Sequence, residues 1–261
     1  IISNPDVIES QKKIFPNFQF DYIISKKYSK VFLKFVGGII ENSYTNVSLI
    51  NPFVLNASTS DDGSLMLKNS YKNYDFQLGH IADLGLGIRY EFVLSYAQVD
   101  DMQFFYIDEN SRFKNKFNVK YDNATHLKLN THLFWEIDPT KSLDLKLVYN
   151  SYHLDSLNSY SYLPTLEIDL RANYNLANKI ISFVSFNADL DRYKSDLNNS
   201  SESSPVDEIS DVFNASLGAE YRYNKVCSFY IEAHRVLGSY EEWKNYPVLS
   251  PQFLLGLSYK F

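Results

Sequence analysis

The residues best equipped for chemistry in this 261-residue chain are its five histidines, its single cysteine and a few paired acids. His126 and His132 share one face of an alternating run with Lys128, Asn130 and Glu136, and an imidazole nitrogen there could ligate a metal or act as a general base. Along a strand they lie about 20 Å apart, too far to hold one ion together. The spacing predicts a hydrogen-bonding role on a polar wall.

The stretch "SYHLDS" supplies Ser151, His153, Asp155 and Ser156, the residue types of a nucleophile, a base and an orienting acid. Such constellations are made by geometry rather than adjacency, and this stretch runs toward a loop tip. It reads as the polar end of a strand. The pairs Asp61-Asp62, Asp100-Asp101 and Glu241-Glu242 offer the oxygen ligands that Ca²⁺ takes, but at no recognised spacing, so they read as solvated loop carboxylates. No catalytic, cofactor-binding or metal-ligating residue is assigned, no cofactor is expected, and the chain reads as a non-enzyme.

Composition narrows the classes further. With 25 basic and 31 acidic residues the formal charge is -6, which leaves no electrostatic footprint for nucleic acid. Cys227 has no partner for an internal disulfide and reads as a small apolar side chain. No run of about 18 apolar residues is present, so no transmembrane helix is expected. Aromatic residues reach 16%, with 21 Tyr and 19 Phe, which suits strands and interfacial belts. The sequence opens on neither Met nor a signal peptide, so Ile1 reads as the start of a mature chain or of a fragment.

The elements that carry these residues show a period of two over unusual lengths. In "QFLLGLSYKF", residues 252–261, Phe253, Leu255, Leu257, Tyr259 and Phe261 fall on one face of a strand. In "LGLGIRYEFVLSY" Leu84, Leu86, Ile88, Tyr90, Phe92, Leu94 and Tyr96 oppose Gly85, Gly87, Arg89, Glu91 and Ser95. The same holds for Leu127, Leu129, Leu133, Trp135 and Ile137, for Leu143 to Tyr149, for Leu166 to Leu176 and for Phe213 to Tyr223. A strand crossing hydrocarbon needs roughly 9 to 11 residues, whereas soluble strands usually have about 5 or 6.

Connections alternate short and long. Residues 26–28, 82–83, 138–140, 177–178 and 224–225 read as tight turns, and long outer loops fall near 41–72, 99–123, 191–210 and 238–250, with a shorter one at 155–161. The Ser-, Asn- and acid-rich stretch 196–210 reads as a mobile loop. This is the pattern of an outer-membrane barrel with its short turns in the periplasm. The fold class is therefore all-β: a single antiparallel transmembrane β-barrel domain over 1–261, with about 11 to 12 strands visible. Trp135, Tyr174, Tyr221, Tyr223 and Tyr259 fall near the short turns, as an interfacial girdle requires. An odd count whose first strand descends implies further strands, because bacterial barrels normally have an even number.

The stretches "NPFV" (51–54), "DMQFFYID" (101–108), "LPTLEIDLRANYNLANKI" (163–180), "LGAEYRYNK" (217–225), "WKNYP" (243–247) and "GLSYKF" (256–261) resemble the barrel of TonB-dependent receptors. The likeness covers nearly the whole chain, from "IFPNFQFDY" onward. It implies a bacterial outer-membrane location, solute uptake, and a last strand ending at Phe261 that the barrel-insertion machinery reads. Outer-membrane lipid and other outer-membrane or periplasmic proteins are the implied partners. Neither a plug domain nor a segment for an energy-transducing partner is found in the chain. Alternatives to uptake are a plug-less structural subunit of an outer-membrane assembly or secretion complex, and a passive porin. The polar face carries Arg89, Lys128, Lys146, Arg171, Arg222 and Lys260 against Glu91, Glu136, Asp144, Glu167, Asp169 and Glu220, a balance unlike the single-sign rings of an ion-selective pore.

Overall fold

The computed structural model describes residues 13–25, 28–54, 67–108, 111–113, 115–157, 162–194, 207–209, 211–237, 241–243, 246–247 and 251–260. The pair Asp61-Asp62, the side chains of Glu241 and Glu242, and Phe261 lie outside them, as does most of 196–210.

Among the described residues fourteen strands and one short helix follow in order: β1 Asn17–Ser25, β2 Ser29–Ile40, α1 Tyr44–Ile50, β3 Ser70–Gly85, β4 Ile88–Ile107, β5 Phe117–Asp138, β6 Lys141–Leu154, β7 Pro164–Leu176, β8 Ile180–Lys194, β9 Asp207–Ile209, β10 Val212–Arg222, β11 Cys227–His234, β12 Glu241–Trp243, β13 Tyr246–Pro247 and β14 Gln252–Tyr259. Eleven of them form one antiparallel sheet in the order β1-β2-β3-β4-β5-β6-β7-β8-β10-β11-β14, with β9 on the margin of β8 and β12 paired with β13 apart from it. Among the described residues no helix is long and apolar enough to cross a membrane.

The register puts the alternation to work. Directly opposed residues share a face, and the ladders join Leu94 to Leu129, Leu129 to Tyr149, and Tyr149 to Leu166 on one side of the sheet. Ser95, Lys128 and Asn150 join on the other. The polar face is the sheltered one. Asp75, Ser95, Asn150, Ser216 and Ser228 are buried, whereas Phe76, Leu94, Leu127, Phe229 and Leu257 stand exposed. A soluble sandwich does the reverse. Apolar-out and polar-in is the arrangement for a wall with hydrocarbon outside and water or protein within.

Strand tilt agrees. One outward row runs Ile88, Trp135, Leu143, Ala172, Val184, Leu217, Ala233 and Phe253 across seven ladders. It begins beside the β3–β4 turn yet ends six residues above Tyr259, the last residue of β14. At about 3.4 Å per residue and about 4.8 Å per strand, that offset is a tilt of roughly 30°, close to the range of barrels.

Two sequence expectations need correction. The tight turn placed at 82–83 lies at Leu86 and Gly87, and β3 continues to Gly85. The reason is local: Gly85 and Gly87 both hold φ of 76° and Leu86 holds 52°, so two glycines set a left-handed turn that carries Leu86 with it. Leu84 and Leu86 thus do not continue the face of β4, and Leu86 is 92% exposed at the tip. The segment 99–123, expected as a loop, is mostly strand, because β4 runs to Ile107 and β5 starts at Phe117. Shorter pieces likewise interrupt the other expected loops: α1 within 41–72, β9 within 191–210, and β12 and β13 within 238–250.

Candidate functional site

The site with the most functional content is the inner wall together with the loops packed on its projecting β4–β5 hairpin. On this wall Lys34, Gln77, Ser95, Lys128 and Asn150 form one lateral row, in register from β2 to β6. Another runs Lys30, Ile81, Glu91, His132, Lys146, Asp169 and Asn187. Residues of β1 to β5 enclose a cavity of about 660 Å³ whose charged lining is Lys30, Lys34, Lys72, Lys128, Asp75 and Glu91, beside His126.

Charge on the wall is balanced, with both signs interleaved along the ladders. Four lysines face two carboxylates in the cavity. On the β7–β8 side, Glu167 stands directly opposite Asp189 and Asp169 opposite Asn187. Polar neighbours absorb part of this charge. Asp75 accepts from Ser95 at 2.6 Å, Gln77 at 2.9 Å and Lys72 at 3.0 Å, and Glu167 accepts from Asn150 at 2.8 Å. Lys30 reaches Asp21 at 3.6 Å. Such a wall has no ring of one sign: both signs alternate along it, with Lys146 opposite Asp169 and Arg171 opposite Asp144.

Aromatic rings lie flat on this wall where it meets glycine. Phe32 covers Gly79, Phe183 covers Gly218 and Tyr230 covers Gly256, each across a ladder in direct register. A Cβ on any of these glycines would run into the ring, so the missing side chain is what lets the ring lie down on the backbone. The sequence signal was available, as a polar-face glycine opposite an aromatic, but it becomes visible only with the register.

The histidines fall where the sequence put them and do what it predicts. His126 donates through Nε2 to Asn150 Oδ1 and stacks on Tyr152, and His132 donates to Asp144 Oδ1, both at 3.1 Å. The two are not brought together. The backbone N–H groups of Asp155 and Ser156 donate to the Asn123 carbonyl and to the Asp122 carboxylate. Among the described residues no hydrogen bond links Ser151, His153 and Asp155. Asp100 pairs with Lys13 at 3.0 Å and takes Asn73 at 2.7 Å, while Asp101 lies 3.9 Å from Lys68. Cys227 is half-buried on the apolar face opposite Tyr259. No cluster of metal-ligating side chains is found among the described residues.

Beyond the wall, sequence reasoning missed the cap. Strands β4 and β5 have 20 and 22 residues, about twice what hydrocarbon requires, so their upper halves project past the rim. A bulge between Val99 and Met102 marks the change. Above it Phe104, Phe105 and Tyr106 are consecutive and all buried. Phe105 and Phe117 pack with Val47 of α1, Val54, Tyr162 and Trp243 on one face. Phe104 and Tyr106 pack with Ala124, Leu154, Leu157 and Leu163 on the other. Loops from β2–β3, β6–β7 and β11–β14 therefore meet on one hairpin.

Specific polar contacts fasten them. Ser43 caps α1 by accepting from the Asn46 N–H, and Asn51 Oδ1 accepts from the Phe53 N–H. Phe53 stacks on Tyr246, whose hydroxyl donates to the Asn115 carbonyl at 2.7 Å. Asn42 is buried at the neck of the β2–β3 loop and donates to Ser70 and to the Lys68 carbonyl. The Asp122 carboxylate accepts N–H groups of Ser156, Leu157 and Asn123 at 2.8 to 2.9 Å. Burial raises its pKa, but these donors outweigh that and hold it below the usual carboxylate value. Burial beside Asp122 pushes the Tyr106 phenol well above its ordinary value. At the opposite rim Asp138 is drawn down to about 2 by the Thr140 hydroxyl and N–H and by Lys141.

No protein-family profile matches the chain, and no curated protein matches it in sequence. Solved structures do. The copper transporter OprC superposes with a TM-score of 0.62 at 11% identity over 93% of this chain and 39% of its own. The ferric-catecholate import receptor Fiu of E. coli gives 0.64 at 12% identity over 94% and 35%. The ferric enterobactin receptor PfeA of Pseudomonas aeruginosa, in complex with enterobactin, gives 0.66 at 12% identity over 95% and 40%. The chain spans little more than a third of the length of each. What is shared is the fold, that of an outer-membrane receptor barrel, here as an open eleven-stranded wall.

Proposed function

We propose that this chain forms part of an outer-membrane barrel that takes up a solute too large for general porins. The observation that carries this reading is the cap: loops from both ends of the sheet converge on the β4–β5 hairpin that projects beyond the polar wall. A general pore has its mouth open and commonly rings of one charge. Here the loops beyond the rim are packed on buried aromatic residues and the wall carries both signs in opposed pairs. Such an arrangement suits selective capture at the outer face followed by passage along a polar interior. The resemblance to metal and siderophore receptors supports the same class of role, without naming the solute for this chain.

Disruption of the coding sequence tests the reading. Growth on a panel of nutrients supplied as large complexes should fall for one class and stay unchanged for small solutes. Unchanged growth throughout, together with loss of another outer-membrane complex, would move the chain to the scaffold reading. A fixed, long-lived conductance of the native protein in planar bilayers would make it a passive porin.

A further inference from the structure

Opposite charges interleave over the wall as a whole, but its cavities do not share that balance. The sequence carries 31 acidic residues to 25 basic, so a concave surface drawn at random from it would lean acidic. The cavity on β1 to β5 leans the other way, with Lys30, Lys34, Lys72 and Lys128 against Asp75 and Glu91. A second cavity, of about 450 Å³ at the short turns beside β10, β11 and β14, sets Lys179, Arg222, Lys225 and Lys260 against Glu220. Both are basic.

Pairing concentrates the excess of the first cavity on two side chains. Asp75 is already held by Ser95, Gln77 and Lys72, and Lys30 reaches Asp21. Among the described residues no ion pair engages Lys34 or Lys128. These two close one lateral row, with Gln77 and Ser95 between them. Three strand spacings hold their backbones roughly 14 Å apart, so two flexible four-carbon stems can meet one ligand from either side. Glu91 lies four residues along β4 from Ser95, again roughly 14 Å, which exceeds the screening length at physiological salt. It does not cancel the row. Asn130, two residues from Lys128 on β5, adds an uncharged amide to the same lining.

Granted the uptake reading, we propose that the row from Lys34 to Lys128 binds an anionic solute through its carboxylate or phosphate oxygens. A cleft lined by one sign between low-dielectric walls raises the local concentration of the opposite ion. An ammonium is a compact charge with three donors and takes either oxyanion. The basic cavity at the short turns carries the same sign on toward the other end of the wall.

One position reads both the field and the ligand. Val93 lines the cavity two residues from Ser95 on β4, and Val93→Cys changes its shape little. In the protein isolated from its own outer membrane, with Cys227→Ala, this thiol is modified by an anionic and by a cationic methanethiosulfonate, each rate normalised to that of free cysteine. The anionic reagent should be favoured about 10-fold, and Lys34→Gln with Lys128→Gln should abolish the preference. Where the double variant fails to insert, Lys128→Gln alone carries the comparison, with about a threefold change expected. Millimolar citrate or pyrophosphate should slow the anionic reagent and spermidine should not; the stronger protector tells carboxylate from phosphate. Equal rates for the two reagents, a preference that survives loss of the lysines, or no protection by either anion overturns the proposal. Modification by neither reagent means that polypeptide fills the cavity, which also overturns it. The uptake reading fails separately, if disruption of the coding sequence leaves growth on large complexes unchanged whatever the thiol rates.

Discussion

The lower and upper halves of β4 and β5 belong to the same strands and obey different rules. Below the bulge at Val99 and Met102, Leu94 and Leu129 face outward while Ser95 and Lys128 face the cavity. Above it, Phe104 and Phe105 point to opposite faces and both are buried, at 1% and 5% exposure. One half separates two solvents and the other is wrapped in protein on both sides. Strict alternation is thus the mark of a wall between unlike media, not of a strand as such.

Breaking the upper half should cost most. Phe117→Ala removes a fully buried ring at the centre of the cap, where Tyr162 and Trp243 pack on it edge to face. The expected loss is about 3–5 kcal/mol, local to the cap. Limited proteolysis should cut the loops flanking β5 faster while the wall keeps its resistance to denaturant. Collapse of the whole sheet would show that the two halves fold as one unit.

The lower half is broken by changing the face rather than the volume. Leu129→Arg places a charge on the outer surface at mid-strand and should cost about 2–4 kcal/mol in lipid, whereas Asn130→Arg on the polar face should cost far less. Unfolding titrations in phospholipid vesicles read the difference. Equal effects would mean the two faces meet the same medium.

A smaller effect sharpens the boundary. Asp122 anchors the β6–β7 loop through three N–H groups, and its folded pKa lies below the ordinary value near 3.9. The sign follows: a depressed carboxylate contributes stability above its unfolded pKa and loses it as the pH falls through the folded value. Loop protection should therefore hold at neutral pH and weaken below about pH 4. Asp122→Asn should weaken the loop at neutral pH by about 1–3 kcal/mol and flatten that acid dependence. Exchange rates of the Ser156 and Leu157 amides across a pH series, corrected for intrinsic exchange, provide the check.

Legibility in the sequence followed the same division. The wall was readable because Leu127, Leu129, Leu133 and Trp135 alternate with polar partners, and the eleven-strand count came from that alternation with its tight turns. The hydrogen-bonding roles of His126 and His132 were readable for the same reason. "MQFFYI" fell within the expected loop 99–123, yet those residues continue β4, where Phe104, Phe105 and Tyr106 are consecutive and all buried, so no alternation announces the strand. The glycine turn at 85–87 was misplaced because Leu84 and Leu86 imitate the phase of the following strand. The meeting of Phe53, Tyr162, Trp243 and Tyr246 depends on loops far apart in sequence. No local pattern announces it. The pairing of charge on the inner wall likewise emerges only when the ladders set Lys146 against Asp169 and Arg171 against Asp144.

The central claim is that hydrocarbon bathes the outward side chains of this wall. Single cysteines at positions 127, 128, 129 and 130 of β5, in a Cys227→Ala background, can each carry a fluorophore in vesicles of brominated phospholipid. The account predicts strong quenching at 127 and 129 and weak quenching at 128 and 130. Uniform quenching, or none at 127 and 129, would contradict it.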